Sequence, residues 1–97
     1  MFRNRMIISA DGRAYRKAVI DQVLIQRGAK HYVTPLRVTV EAFKPDRRRR
    51  DIDNIFKAVG DGLTHAGVWE DDSQIVDLRL YWADTLGGKL RITIEEL

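Results

Sequence analysis

The chain has 97 residues, no cysteine, and 44% hydrophobic against 32% charged residues. That composition describes one globular domain spanning 1–97 and excludes a disulfide framework or a zinc–cysteine site; no apolar run approaches the ~20 residues of a membrane span, so no membrane role is expected and a reducing cytoplasm fits. The net charge of +3 hides a division, with +9 over residues 1–50 and −6 over residues 51–97, which suits a polyanion on the first half and a cation on the second unless the halves interleave and cancel.

Met6-Ile7-Ile8 reads as a very short strand, and Met6 to Ala10 is too short for a signal-peptide core. Ser9 is a candidate helix cap, and Ala14, Tyr15, Ala18, Val19, Val23 and Leu24 then follow near-helical spacing up to a stop at Gly28. Arg13, Arg16, Lys17, Asp21 and Arg27 give that helix a mostly basic outer face. From Pro35 the period changes to two. Leu36, Val38, Val40 and Ala42 alternate with Arg37, Thr39, Glu41 and Phe43, a strand with one buried face that ends at Lys44-Pro45-Asp46.

A second helix begins at Asp51, its apolar stripe formed by Ile52, Ile55, Phe56, Val59 and Leu63. Gly60 and Gly62 weaken it by roughly 1 kcal/mol each relative to alanine. Gly67 and the acidic run 70–72 mark a loop. Val76, Leu78, Leu80 and Trp82 alternate as a strand, Thr85 to Gly88 turn, and Leu90, Ile92 and Ile94 form a last strand. The resulting order β-α-β-α-β-β predicts an α+β fold, with two helices packed on a small mixed sheet. A chain of this size buries roughly 60–65% of its unfolded surface, so a partner subunit would help it.

The residues that carry chemistry lie between Pro45 and Asp72. Four arginines, Arg47 to Arg50, run into Asp51-Ile52-Asp53-Asn54, and Asp71-Asp72 follow the helix. Two positions apart on a helix, Asp51 and Asp53 would point about 200° apart. They converge only if Asp51 stands outside the helix as its N-cap. Asp53 then shares a face with Lys57 and Thr64, away from the apolar stripe. Asp72 joins them if the loop doubles back. Three carboxylates meeting at one point repel unless a cation neutralises them, and an all-oxygen site suits Mg²⁺ or Mn²⁺. Each piece also has a plainer reading. Aspartate is a favoured N-cap, Asp53 and Lys57 can form an i,i+4 ion pair, and an arginine run can be a solvated loop. His31, His65, Trp69 and Trp82 read as structural.

Taken together, Pro45-Asp46 with the four arginines, Asp51-Ile52-Asp53-Asn54, Lys57-Ala58, Asp61-Gly62-Leu63-Thr64-His65-Ala66-Gly67-Val68-Trp69 and Asp71-Asp72-Ser73-Gln74-Ile75-Val76-Asp77 resemble the RusA family of Holliday junction resolvases. The likeness extends more loosely through Ser9 to Tyr15 and from Gly87-Gly88 to the C-terminus. It implies a small homodimeric endonuclease, active in DNA recombination and repair, that binds four-way DNA junctions, needs Mg²⁺ (or Mn²⁺) and nicks two strands symmetrically. It also implies metal-binding and catalytic roles for Asp51, Asp53 and Asp72, with Lys57 as a catalytic helper. Arg47, Arg48, Arg49, Arg50 and Asn54 are the expected DNA contacts, joined by Arg16 and Lys17 from the basic helix. Such proteins are often encoded in phages and prophages. Members usually begin with a further strand and a proline-rich loop, and this chain is expected to lack them. A non-catalytic DNA-binding module, or a truncated remnant of such a nuclease, is the alternative.

Overall fold

Alternating apolar side chains over two long stretches decide the sheet, and the second helix carries the stripe that covers it. The computed structural model describes residues 3–9, 15–26 and 31–97. The elements are β1 (Arg3–Ser9), α1 (Tyr15–Gln26), β2 (Leu36–Phe43), α2 (Ile52–His65), one 3-10 turn (Asp72–Gln74), β3 (Ile75–Trp82) and β4 (Lys89–Glu96). The expected α+β order therefore stands. The sheet runs β1-β4-β2-β3: β4 pairs antiparallel with both β1 and β2, while β2 and β3 are parallel and joined through α2.

The last strand in sequence is thus near the centre of the sheet. Leu90, Ile92 and Ile94 of β4 are fully buried, as are Leu36, Val38 and Val40 of β2 and Ile8 of β1. They meet Val19 and Val23 of α1 and Ile55, Val59 and Leu63 of α2 in one apolar cluster. Each such side chain contributes about 1.5–3 kcal/mol relative to exposure.

The other face of the sheet is polar, and its ion pairs follow from register. Glu41 lies opposite Arg91, and Arg37 opposite both Asp77 and Glu95. The Arg91 guanidinium accordingly donates to Glu41 Oε1 at 2.9 Å, and Arg37 Nε to Asp77 Oδ2 at 2.7 Å. The hydrogen bond from Arg37 holds the Asp77 carboxyl below its ordinary range, and Asp77 in turn raises the Arg37 guanidinium.

Several expectations are corrected. The first strand is seven residues long, not three, and Ser9 is its last residue, opposite Lys89, rather than a helix cap. Pairing with β4 overrides the local capping signal. Ala14 and Gly28, the expected limits of the first helix, lie outside the described residues. Phe43 keeps to the polar face as its alternation predicts, but it is buried there, against Gly87 and beneath Lys89 and Arg91. In β3, Val76 and Leu78 remain exposed, because β3 is an edge strand and its register with β2 shifts at Leu36/Arg37, skipping Val76.

Candidate active site

Asp51 is the N-cap of α2, in extended conformation (φ −85°, ψ 119°), as the convergence argument requires. Its side chain makes no capping hydrogen bond. Asp53 stands in the first helical turn, exposed, and among the described residues it forms no ion pair with Lys57, which is exposed one turn on. Neither plainer role, cap or i,i+4 pair, is taken up by these carboxylates. Uncommitted carboxylate oxygens, with no thiol among them, are the donors a hard divalent cation accepts.

The path that returns Asp72 toward α2 is built from three ties. The first is the end of the helix. The Gly67 N–H donates to Thr64 O (3.1 Å) and the Val68 N–H to Leu63 O (3.1 Å), a Schellman motif that needs the positive φ of Gly67 (80°). The second is Trp69, 1% exposed, whose indole N–H donates to the Thr64 hydroxyl at 2.7 Å; that hydroxyl donates to Gly60 O at 2.9 Å. Beside it the Tyr32 N–H donates to Val68 O at 2.7 Å, closing a bridge between the approach to β2 and the loop. The third is Gln74. Its amide N–H groups donate to Tyr32 O (2.9 Å) and Thr34 O (3.0 Å), while its oxygen accepts from the N–H groups of Glu70 (2.9 Å) and Asp71 (3.0 Å).

The loop so tied lies along the polar side of α2. Asp72 lines one opening with Phe56, Lys57, Gly60 and Asp61, and an adjoining one with Asp61, Thr64, His65 and Asp71. Asp72 and Lys57 are therefore brought together, and Asp53, Lys57 and Asp61 follow one another at i,i+4 steps on the same helix face. Among the described residues, no three His, Cys, Asp or Glu side chains stand close enough to hold a metal ion. Asp51 and Asp53 line neither opening, so the structure brings Asp72 to Lys57 and Asp61 without gathering all three expected carboxylates. Asp71 is held below the ordinary carboxylate range, first by the Ser73 hydroxyl, which donates to it at 2.6 Å. A larger hollow of about 500 Å³ lies on the open sheet face, lined by Arg5, Thr39, Glu41, Tyr81 and Arg91 among others. Its Arg91–Glu41 pair is already satisfied internally, so it is the poorer candidate for chemistry.

The structure divides the arginines. Arg50 is half-buried and donates to both oxygens of Asp46 at 3.1 Å, while Arg48 reaches the same carboxylate from 4.0 Å. The Arg48 backbone N–H is the main reason Asp46 is held acidic. Arg47 and Arg49 are exposed and unpaired among the described residues. Asn54 is exposed beside Asp53, Lys17 pairs with Asp21 at 2.9 Å on α1, and the Arg16 side chain lies outside the described ones.

Sequence reasoning passed over Asp61, His65 and Gln74. Asp61 was legible as the next i+4 step beyond Lys57. His65, read as structural, is exposed at the opening beside Asp72. Gln74 was legible in the Asp71-x-x-Gln74 spacing, which is that of a capping box.

A small α+β domain with carboxylates and a lysine along one helix, a return loop that adds another carboxylate, and arginines just ahead that are unpaired among the described residues is an arrangement suited to a protein that handles phosphate esters. Comparison with known proteins narrows that class. The family model described as Endodeoxyribonuclease RusA matches residues 2–95. Crossover junction endodeoxyribonuclease RusA of Shigella sonnei is 44% identical over 99 residues, covering 98% of this chain and 80% of the relative. The protein of that name from Escherichia coli K12 is 43% identical with the same coverage. The one from Enterobacteria phage 82 is 44% identical over 96 residues. The chain belongs to the RusA family of endodeoxyribonucleases.

Proposed function

We propose that this protein is a Mg²⁺-dependent crossover junction endodeoxyribonuclease that resolves four-way DNA junctions by paired symmetric nicks, in DNA recombination and repair. The observation that carries the reading is the return of Asp72 to the Lys57 side of the helix that opens with Asp51 and Asp53. Asp51, Asp53 and Asp72 would hold the metal, with Mn²⁺ able to substitute. When bound, Mg²⁺ supplies an activated water and charge stabilisation at the leaving oxygen. Lys57 presents its ammonium to the phosphate that gathers charge. Arg47 and Arg49 grip neighbouring phosphates, Arg48 adds to them, and Arg50 holds their loop through Asp46. Asn54, Arg16 and Lys17 extend the contact. The protein acts as a homodimer in the cytoplasm, because a junction cut in two like strands has a two-fold axis and a C2 dimer supplies two sites related by it.

The test is a synthetic four-way junction incubated with Mg²⁺ or Mn²⁺. Paired nicks in strands of like polarity are expected. Asp53→Asn should abolish them while keeping or tightening binding, since a negative charge beside phosphate is removed. No nicks in any sequence context would refute the reading, and salt-sensitive binding without cleavage in either metal would leave a non-catalytic DNA-binding module.

A further inference from the structure

The hydrogen-bond inventory of Gln74 is complete. A primary amide has two N–H donors and one oxygen with two acceptor positions. All four are used, two by backbone carbonyls of the Tyr32–Thr34 segment and two by backbone N–H groups at the head of the Asp71–Gln74 turn. The side chain therefore does two jobs. Its oxygen gathers the loop's own backbone, and its nitrogen fastens that loop to the chain entering β2, about 40 residues away in sequence. Asp72 sits in the same 3-10 turn, two residues earlier.

Few other side chains can do this. Glutamate keeps the acceptor and loses both donors, asparagine is one methylene short, and methionine has the length with no hydrogen bonding at all. The turn's other hydrogen bonds are local, from the Ser73 hydroxyl to the Asp71 carboxylate at 2.6 Å and from the Gln74 N–H to Asp71 O at 3.1 Å, and neither ties it to another element. It contributes no fully buried residue, and Asp71, Asp72 and Ser73 are all exposed. Where the Asp72 carboxylate stands relative to α2 is consequently set by the Gln74 amide together with the Trp69 anchor just before it.

We propose that Gln74 is the positioning residue of the metal site: it touches neither metal nor DNA and fixes the turn that presents Asp72 to the Lys57 face of α2. This role rests on reading Asp72 as a metal ligand. Loss of groups that orient a ligand typically costs 10–100-fold in metal affinity, and that is the change expected here.

The experiment compares wild type with Gln74→Met, Gln74→Asn and Asp72→Asn, using the full chain. Mn²⁺ binding is titrated without DNA, by paramagnetic broadening of backbone NMR signals, and the metal dependence of junction cleavage is measured in parallel. Amide exchange at Glu70 and Asp71 reports whether the turn has come loose. Val59→Ala, a truncation on the buried side of α2, controls for a general loss of stability. Expected for Gln74→Met are faster exchange at those two amides, a 10–100-fold higher Mn²⁺ requirement in both assays, recovery of cutting at high metal and unchanged junction affinity. Gln74→Asn should shift the same way by less, and it carries the test if the methionine variant does not fold. A metal requirement that matches wild type, or that shifts no further than in Val59→Ala at equal loss of melting temperature, would overturn the role of Gln74 while Asp72→Asn remained inactive. If Asp72→Asn binds Mn²⁺ and cuts normally, the reading of Asp72 fails and the role of Gln74 goes with it.

Discussion

Thr64→Val isolates the tie between the return loop and α2. The two side chains have nearly the same shape, and valine and threonine differ little in helix propensity. What is lost is one hydroxyl, which accepts from Trp69 Nε1 at 2.7 Å and donates to Gly60 O at 2.9 Å. The Gly60 carbonyl keeps its ordinary i+4 helical partner, so it is not orphaned. The indole N–H is, because Trp69 is 1% exposed and water does not reach it. Leaving one buried donor unsatisfied costs about 1–3 kcal/mol, and in a domain of this size each kcal/mol moves the melting temperature by roughly 4–8 °C. Urea unfolding followed by tryptophan fluorescence measures the loss. Trp69→Phe completes a double-mutant cycle: with no N–H to satisfy, Thr64→Val should then cost less than about 0.5 kcal/mol. An equal cost in both backgrounds, or no cost in wild type, would refute the claim that this hydroxyl holds the loop.

Other perturbations should act with known sign. A Cβ at Gly60 would meet the Phe56 ring at 3.5 and 3.6 Å, ordinary contact distances, so Gly60→Ala should stabilise the protein by about 0.5–1 kcal/mol through helix propensity, and a lower melting temperature would show tighter packing there. Arg47→Gln and Arg49→Gln should each flatten the salt dependence of junction binding by about 0.9 in slope; Arg50→Gln, whose guanidinium is occupied by Asp46, should change the slope less, and equal changes for all three would contradict the division among the arginines. Because Arg37 holds Asp77 below the ordinary carboxylate value of 3.8, the pair stabilises above that pH and the benefit is lost as pH falls through the lower folded value. The gap in urea midpoint between wild type and Asp77→Asn should therefore be widest near neutrality and close on acidification, and a constant gap would contradict the linkage.

Local periodicity carried much of this protein into view. The alternation from Leu36 and from Leu90 marked β2 and β4, the Ile52–Leu63 stripe marked α2, and the position of Asp51 just outside that helix followed from the arginine run and the need for two carboxylates to converge. Those features depend on neighbours a few residues away. Ser9 shows where such signals stop: a good cap by residue type, it became the end of a seven-residue strand because β4, the last strand in the chain, pairs along it. The site divides in the same way. Which residues bear charge was written in the sequence, but Arg50 turns to Asp46, Lys57 leaves Asp53 unpaired, and Asp72 comes to α2 only because a Schellman turn, a buried indole hydrogen bond and one saturated amide fold the loop back. Hydrogen bonds between segments about 40 residues apart leave no period in the chain, so only the tertiary structure could place that carboxylate.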